Sequence, residues 1–237
     1  MNQPGRMPTG WTAYFDQALP EDDATVAGRA GLDLAPDLSR EVRVVPLLTA
    51  PGVTIGPSVA RRQGVLEAIR TIPGIGEVRV SPIGGTIGPG GPEWLSMLMV
   101  ARLPDQLARP LDLLLAVVQG ILEARLSSLA VTLTAGRVAG AWCPGFSDLS
   151  VEGRKLVGVG FKLTREVGLM RAVVGLSRPD ALSLTALGLA HRAIGVEISA
   201  QHLAFLGELI GRPELAQAEA IPLLAAPGRL RPAKIWE

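Results

Sequence analysis

Apolar and polar positions alternate early in the chain. EVRVVPLLTA (residues 41–50) and GVTIG (52–56) combine β-branched residues with Pro51-Gly52 punctuation, so they predict two short strands about a turn. The period changes over SVARRQGVLEAIRTI (58–72). Apolar residues at 59, 65, 66, 69 and 72 approach helical spacing, and Pro73-Gly74 marks the stop. GEVRVSPIGGTIGPGGPEWLSMLMVARL (76–103) reads as strand, glycine-rich connection and strand, with Gly84, Gly85, Gly88, Gly90 and Gly91 in the middle. A helix follows over 104–126, where Pro110 favours the first turn over the interior. LAVTLTA (129–135) and RVAGAWC (137–143) predict a strand pair, and 148–153 with 155–164 predict a hairpin about Gly153-Arg154. The run VGLMRAVVGLS (167–177) is too short for periodicity to separate strand from helix, and strand is the preferred reading. Two helices broken near 195–199 complete the pattern, before a loose tail.

Strands in the first two thirds and helices towards the end predict an α+β fold with a mixed or antiparallel sheet rather than regular βαβ alternation. Residues 1–35, rich in Pro, Gly and acid, are expected to form a partly ordered arm, with Trp11, Tyr14 and Phe15 able to dock on the body. The main domain is expected over 36–226 and the tail over 227–237.

Composition narrows the function classes. The 237 residues carry 23 basic and 22 acidic side chains, so no long-range field favours nucleic acid or an anionic membrane. At 48% hydrophobic the chain can fill a sizeable core, yet no stretch holds the ~18 uninterrupted apolar residues of a membrane span. A soluble, cytoplasmic protein without nucleic-acid or membrane partners is expected, and one cysteine fits a reducing compartment.

That cysteine, Cys143, stands twelve residues before Lys155 in AWCPGFSDLSVEGRKLVGVGFK. It is either a buried small apolar residue or a nucleophile. Pro144-Gly145 turns the chain after the thiol, and a reversal at Gly153 can return Lys155 towards it, where its charge would favour the thiolate. The alternative is an exposed hairpin lysine. The loop 84–91 can expose backbone N–H groups to a carboxylate or phosphate, but it matches neither nucleotide fingerprint and also reads as a plain hairpin connection. His191 and His202 fit no HxxxH or HExxH spacing, so no metal is expected and both read as solvated or capping residues. No GxSxG elbow occurs.

WCPGFSDLSVEGRKLVGVGFK resembles the segment of the lipoate-protein ligase and octanoyl/lipoyl-transferase family in which a CPG, an Asp-Leu pair and a GRK or GKK turn precede a glycine-rich strand. The likeness is strongest to the cysteine-dependent amidotransferases that take octanoyl from the glycine-cleavage H protein, and extends more loosely over 53–176. It implies the biotin/lipoyl protein ligase catalytic-domain fold, α+β with a central mixed sheet flanked by helices and an acyl tunnel. It also implies Cys143 as the nucleophile that carries an octanoyl or lipoyl thioester, and Lys155 as the residue that binds the acyl carbonyl or carboxylate. Gly84, Gly85, Thr86, Arg79, Asp148 and Gly158 are the implied substrate-binding positions. The implied acceptor is a lysine of a lipoyl-accepting domain, from the glycine-cleavage H protein or a 2-oxoacid dehydrogenase E2. No cofactor is required for such a transferase. The family also implies an ATP- and Mg-dependent ligase acting through lipoyl-adenylate, and a non-catalytic acyl-binding relative. The chain departs from the family at Ser81-Pro82-Ile83, where arginines usually precede the paired glycines and the nearest is Arg79.

Overall fold

The computed structural model describes residues 12–15, 18–20, 41–102, 110–126, 131–164 and 167–225. The first half supplies β1 (Thr12–Phe15), β2 (Leu19–Pro20), β3 (Glu41–Leu48), β4 (Gly52–Ile55), α1 (Pro57–Ala60), α2 (Val65–Arg70), β5 (Glu77–Val80), β6 (Ile87–Gly90), β7 (Trp94–Arg102) and α3 (Pro110–Leu126). The second half supplies β8 (Thr134–Ala135), β9 (Leu149–Val151), β10 (Arg154–Leu163), β11 (Val167–Gly175), α4 (Ala181–Arg192), a 3₁₀ turn (Ala200–His202), α5 (Leu206–Leu209) and α6 (Gln217–Leu224).

The larger sheet runs β1-β3-β7-β11-β10-β9-β8, with β2 beside β3. It is mixed, because β1 and β2 join β3 in parallel while the remaining pairings are antiparallel. A smaller sheet, β5-β4-β6, pairs β4 with β5 in parallel across the α1–α2 connection. The architecture is α+β, as the element pattern predicted.

Both faces of the central strands are covered, which explains why β7 is buried along nearly its whole length. Leu95, Met97 and Met99 of β7, with Met170, Ala172 and Val174 of β11, share a core with Leu113, Leu114, Val117 and Leu122 of α3. The alternate residues face two other clusters. One contains Leu98, Val100, Leu169 and Ile83, and the other joins Trp94, Trp142, Val173 and Phe205 to β4, β6 and α4. The connection 81–86 and the cysteine segment lie on this second face.

Several local expectations change. The helix expected over 58–72 is two short helices, because Gly64 between them takes a left-handed φ of 73°. The strand expected over 137–143 is a loop, since Gly140 (φ 75°) and Cys143 (φ 40°) are incompatible with a ladder. The hairpin turns at Glu152-Gly153, one residue earlier than expected, with φ values of 51° and 73° that suit a tight hairpin. The second C-terminal helix is replaced by the 3₁₀ turn, α5 and α6. Pro110 stands at the start of α3 as predicted, while residues 104–109 lie outside the described residues. Of the expected arm, the described residues 12–15 and 19–20 are strands beside β3, and Phe15 is buried in the α3 core. Trp11 and the tail 227–237 lie outside the described residues.

Candidate active site

The hairpin β9–β10 places Lys155 near the start of a buried strand, and the loop before β9 wraps the cysteine around its side chain. Lys155 is 1% exposed. Its ammonium donates to Trp142 O at 2.7 Å and Cys143 O at 2.8 Å, and pairs with Asp148 Oδ2 at 2.8 Å. Three N–H donors thus meet three acceptors. The charge also lies 4.1 Å from the centroid of the Trp142 ring. Burial pushes the Lys155 pKa down, opposed by the Asp148 and Cys143 charges. Burial likewise pushes Asp148 up, against the Lys155 charge and the N–H groups of Gly145 and Val159. Asp148 Oδ2 accepts from both the Lys155 ammonium and Gly145 N–H at 2.7 Å, contacts that favour the ionised pair, while its Oδ1 has no hydrogen-bond partner among the described residues.

Cys143 is fixed by every polar atom it has. Its carbonyl accepts from Lys155, its N–H donates to His191 Nε2 at 3.1 Å, and its Sγ accepts from Thr86 N–H at 3.1 Å. These contacts hold a left-handed backbone, φ 40°, that L-residues adopt at a cost of about 1–2 kcal/mol. The thiol is half-buried, in a cavity of about 40 Å³ that Ser81, Ile83, Thr86, Trp142, Val159 and Arg171 help to line. That is room for about three water molecules. Two buried donors belonging to cavity residues, Thr86 Oγ1 and Trp142 Nε1, have no hydrogen-bond partner among the described residues.

Glycine at two positions is required by close approach. A Cβ on Gly158 would overlap the Trp142 indole, and one on Gly160 would overlap the Gly84 carbonyl. The Gly84–Thr86 loop is pinned over β10, with Gly84 N–H donating to Phe161 O at 3.1 Å and Gly56 N–H donating to Thr86 O at 2.8 Å. A Cβ on Gly85 would sit 3.6 Å from Cys143 Sγ.

The structure therefore gathers Cys143, Lys155, Asp148, Gly158, Gly84, Gly85 and Thr86 at one place. Arg79 is elsewhere: its guanidinium pairs with Glu77 at 2.7 Å and donates to Ala50 O at 3.1 Å, and it does not line the Cys143 cavity. Lys155 has all its donors engaged within the protein, so its contact with Cys143 is through the backbone carbonyl. Two residues were missed. His191 is fully buried beneath the cysteine rather than solvated or capping, and Arg171 is a buried cavity residue whose Nε donates to Ser96 Oγ at 2.7 Å. A basic residue inside an otherwise apolar strand run was the available signal for Arg171; none existed for His191. Among the described residues no cluster of three His, Cys, Asp or Glu could hold a metal ion, and no helix is long and apolar enough to cross a membrane.

No known family profile matches the chain, and no curated protein matches it. Solved structures do. A candidate lipoate protein ligase from T. acidophilum with bound lipoic acid superposes with a TM-score of 0.58 at 13% identity, over 90% of this chain and 83% of that one. A bi-partite lipoate protein ligase, studied with its E2 lipoyl domain from Thermoplasma acidophilum, gives 0.54 at 13% identity, over 90% and 80%. A lipoate-protein ligase A bound with ATP gives 0.51 at 11% identity, over 89% and 94%. At these identities the likeness carries the fold, and the fold is the one that the resemblance at Cys143 to Lys162 implied.

Proposed function

We propose that the protein is an acyltransferase of protein lipoylation, passing an octanoyl or lipoyl group through a Cys143 thioester to a lysine of a lipoyl-accepting domain. The observation that carries this reading is the setting of Cys143: a thiol held in a strained left-handed backbone, facing a cavity with the orphaned Thr86 hydroxyl, and receiving the Thr86 N–H. Buried donors without partners are costly, and at a reaction centre they are donors available to substrate.

In the first step Cys143 gives its proton to solvent, the thiolate attacks the acyl carbonyl of a carrier to form a C–S bond, the carrier's own C–S or C–N bond breaks, and the carrier leaves with a proton taken from solvent. The Lys155 ammonium stabilises the thiolate across the Cys143 carbonyl. The Thr86 hydroxyl, buried without a partner beside the cavity, is the candidate donor to the negative charge that develops on the carbonyl oxygen, a role with a value of about 3 kcal/mol per donor, while Thr86 N–H stays on the sulfur. In the second step the acceptor amine attacks the thioester, loses its proton, and Cys143 leaves as thiolate.

Intact-mass spectrometry after incubation with octanoylated carrier protein tests the reading. An octanoyl adduct that disappears in Cys143→Ala, and that chases onto a lipoyl domain, is expected. Lipoyl transfer requiring lipoate and ATP, with pyrophosphate release and undiminished in Cys143→Ala, would replace it with the ligase mechanism.

A further inference from the structure

We infer that His191 is a positioning residue for Cys143, serving as a neutral acceptor that holds the cysteine amide and thereby aims its sulfur, and not as the base that takes the thiol proton. The inference deepens the acyl-transfer reading of this site, but its physical tests do not depend on that reading.

The geometry fixes the tautomer. His191 Nδ1 lies 2.9 Å from the Leu187 carbonyl, an acceptor only, so Nδ1 carries the proton. Nε2 is then the acceptor, and the N–H that reaches it is the Cys143 amide at 3.1 Å. With both ring nitrogens engaged on backbone groups, neither is aimed at Sγ, whose donor is Thr86 N–H. The ring is fully buried at the end of α4, so it couples the orientation of that helix to the backbone of the cysteine.

Protonation would reverse the contact. An imidazolium Nε2–H cannot accept from the Cys143 amide. Its alternative is the Ile87 carbonyl, a backbone acceptor already close enough to the ring to favour its charged form. Cys143 would then lose one of the three anchors that hold φ at 40°, and Sγ would leave the Thr86 N–H. The charged group acting on the ring from across the site is Lys155 of β10, backed by Asp148 of the preceding loop, with the Cys143 thiol between; Arg192 of α4 itself is exposed. The Lys155 cation and burial both oppose the imidazolium. The neutral acceptor state therefore persists through neutral pH.

Two measurements on the full chain test this. Nitrogen-15 NMR of labelled histidine is expected to show the Nδ1–H tautomer for His191 at neutral pH; an Nε2–H tautomer would overturn the proposal. The second is the rate of Cys143 alkylation by iodoacetamide, corrected for thiolate fraction. His191→Leu is expected to slow it about 10- to 100-fold, as a misplaced reacting atom does. His191→Gln, whose amide oxygen can accept from the Cys143 amide, is expected to restore most of the rate. Equal rates in wild type and both variants, or an unrescued Gln variant that is folded by circular dichroism, would refute it. A wild-type protein without an octanoyl adduct would remove the acyl-transfer reading while leaving the tautomer and alkylation results to decide this one.

Discussion

The ammonium of Lys155 and the carboxylate of Asp148 meet at 2.8 Å with both side chains fully excluded from solvent. Each is the main compensation for burying the other. Lys155→Met leaves the Asp148 charge uncompensated and is expected to cost about 3–5 kcal/mol. The double variant Lys155→Met, Asp148→Leu should recover part of that, the remainder reflecting the donors lost by the Trp142 and Cys143 carbonyls. Urea denaturation of the four proteins in the cycle measures it. A single-variant cost under about 1 kcal/mol would mean that the pair is not the anchor of this loop.

The left-handed backbone at Cys143 sets the order of two substitutions. Cys143→Gly should be more stable than Cys143→Ala by about 1 kcal/mol, since a Cβ is the source of the strain. Thermal unfolding of the two variants compares them directly, and an Ala variant that is the more stable would show the backbone to be relaxed at this residue.

Thr86→Val separates stability from chemistry. Removing a buried hydroxyl without a partner should leave stability unchanged or raise it by up to about 1 kcal/mol. If Thr86 Oγ1 receives the carbonyl charge, acylation of Cys143 in single turnover should fall by about tenfold or more while the melting temperature does not fall. Unchanged acylation would remove the hydroxyl from that role.

Gly158→Ala sets a methyl group against the Trp142 indole and within 2.9 Å of Lys155 Cε. Overpacking of this kind is expected to cost about 1–3 kcal/mol, and the displaced indole should change its fluorescence spectrum. A wild-type spectrum and melting curve would show that the ring has room to move.

The His191 pKa is pushed down to about 4, by burial first and by the Lys155 charge, against its Leu187 hydrogen bond. The unfolded ring, at its ordinary 6.5, binds more protons than the folded one between these values. Its stabilising contribution is therefore complete above pH ~6.5 and declines as pH falls towards 4, by a total of about 3 kcal/mol. Urea midpoints measured from pH 4 to 7 should show this slope in wild type and not in His191→Gln. Parallel slopes would assign the acid sensitivity to carboxylates.

The sequence by itself determined the α+β class, the strands over 41–48, 77–80 and 167–175, the start of α3 at Pro110, and the proximity of residues 143 and 155. These follow from local causes: β-branched and apolar runs bounded by turn residues, proline where an amide donor is dispensable, and a tight reversal at Gly153 that turns the chain back towards the cysteine segment. Tertiary structure alone decided what the site is made of. His191 is 48 residues from Cys143, and its helix ends in an ordinary way, so nothing local marks the ring as buried. Thr86 is 57 residues from the sulfur it touches, and Arg79, near the paired glycines in sequence, turns to Glu77 and Ala50 although its ladder partner Thr54 lines the cavity. Even Cys143 lay in a segment that reads as strand. Its left-handed backbone is a product of three anchors from β10, α4 and the glycine loop, and a local pattern cannot encode contacts whose partners are that far along the chain.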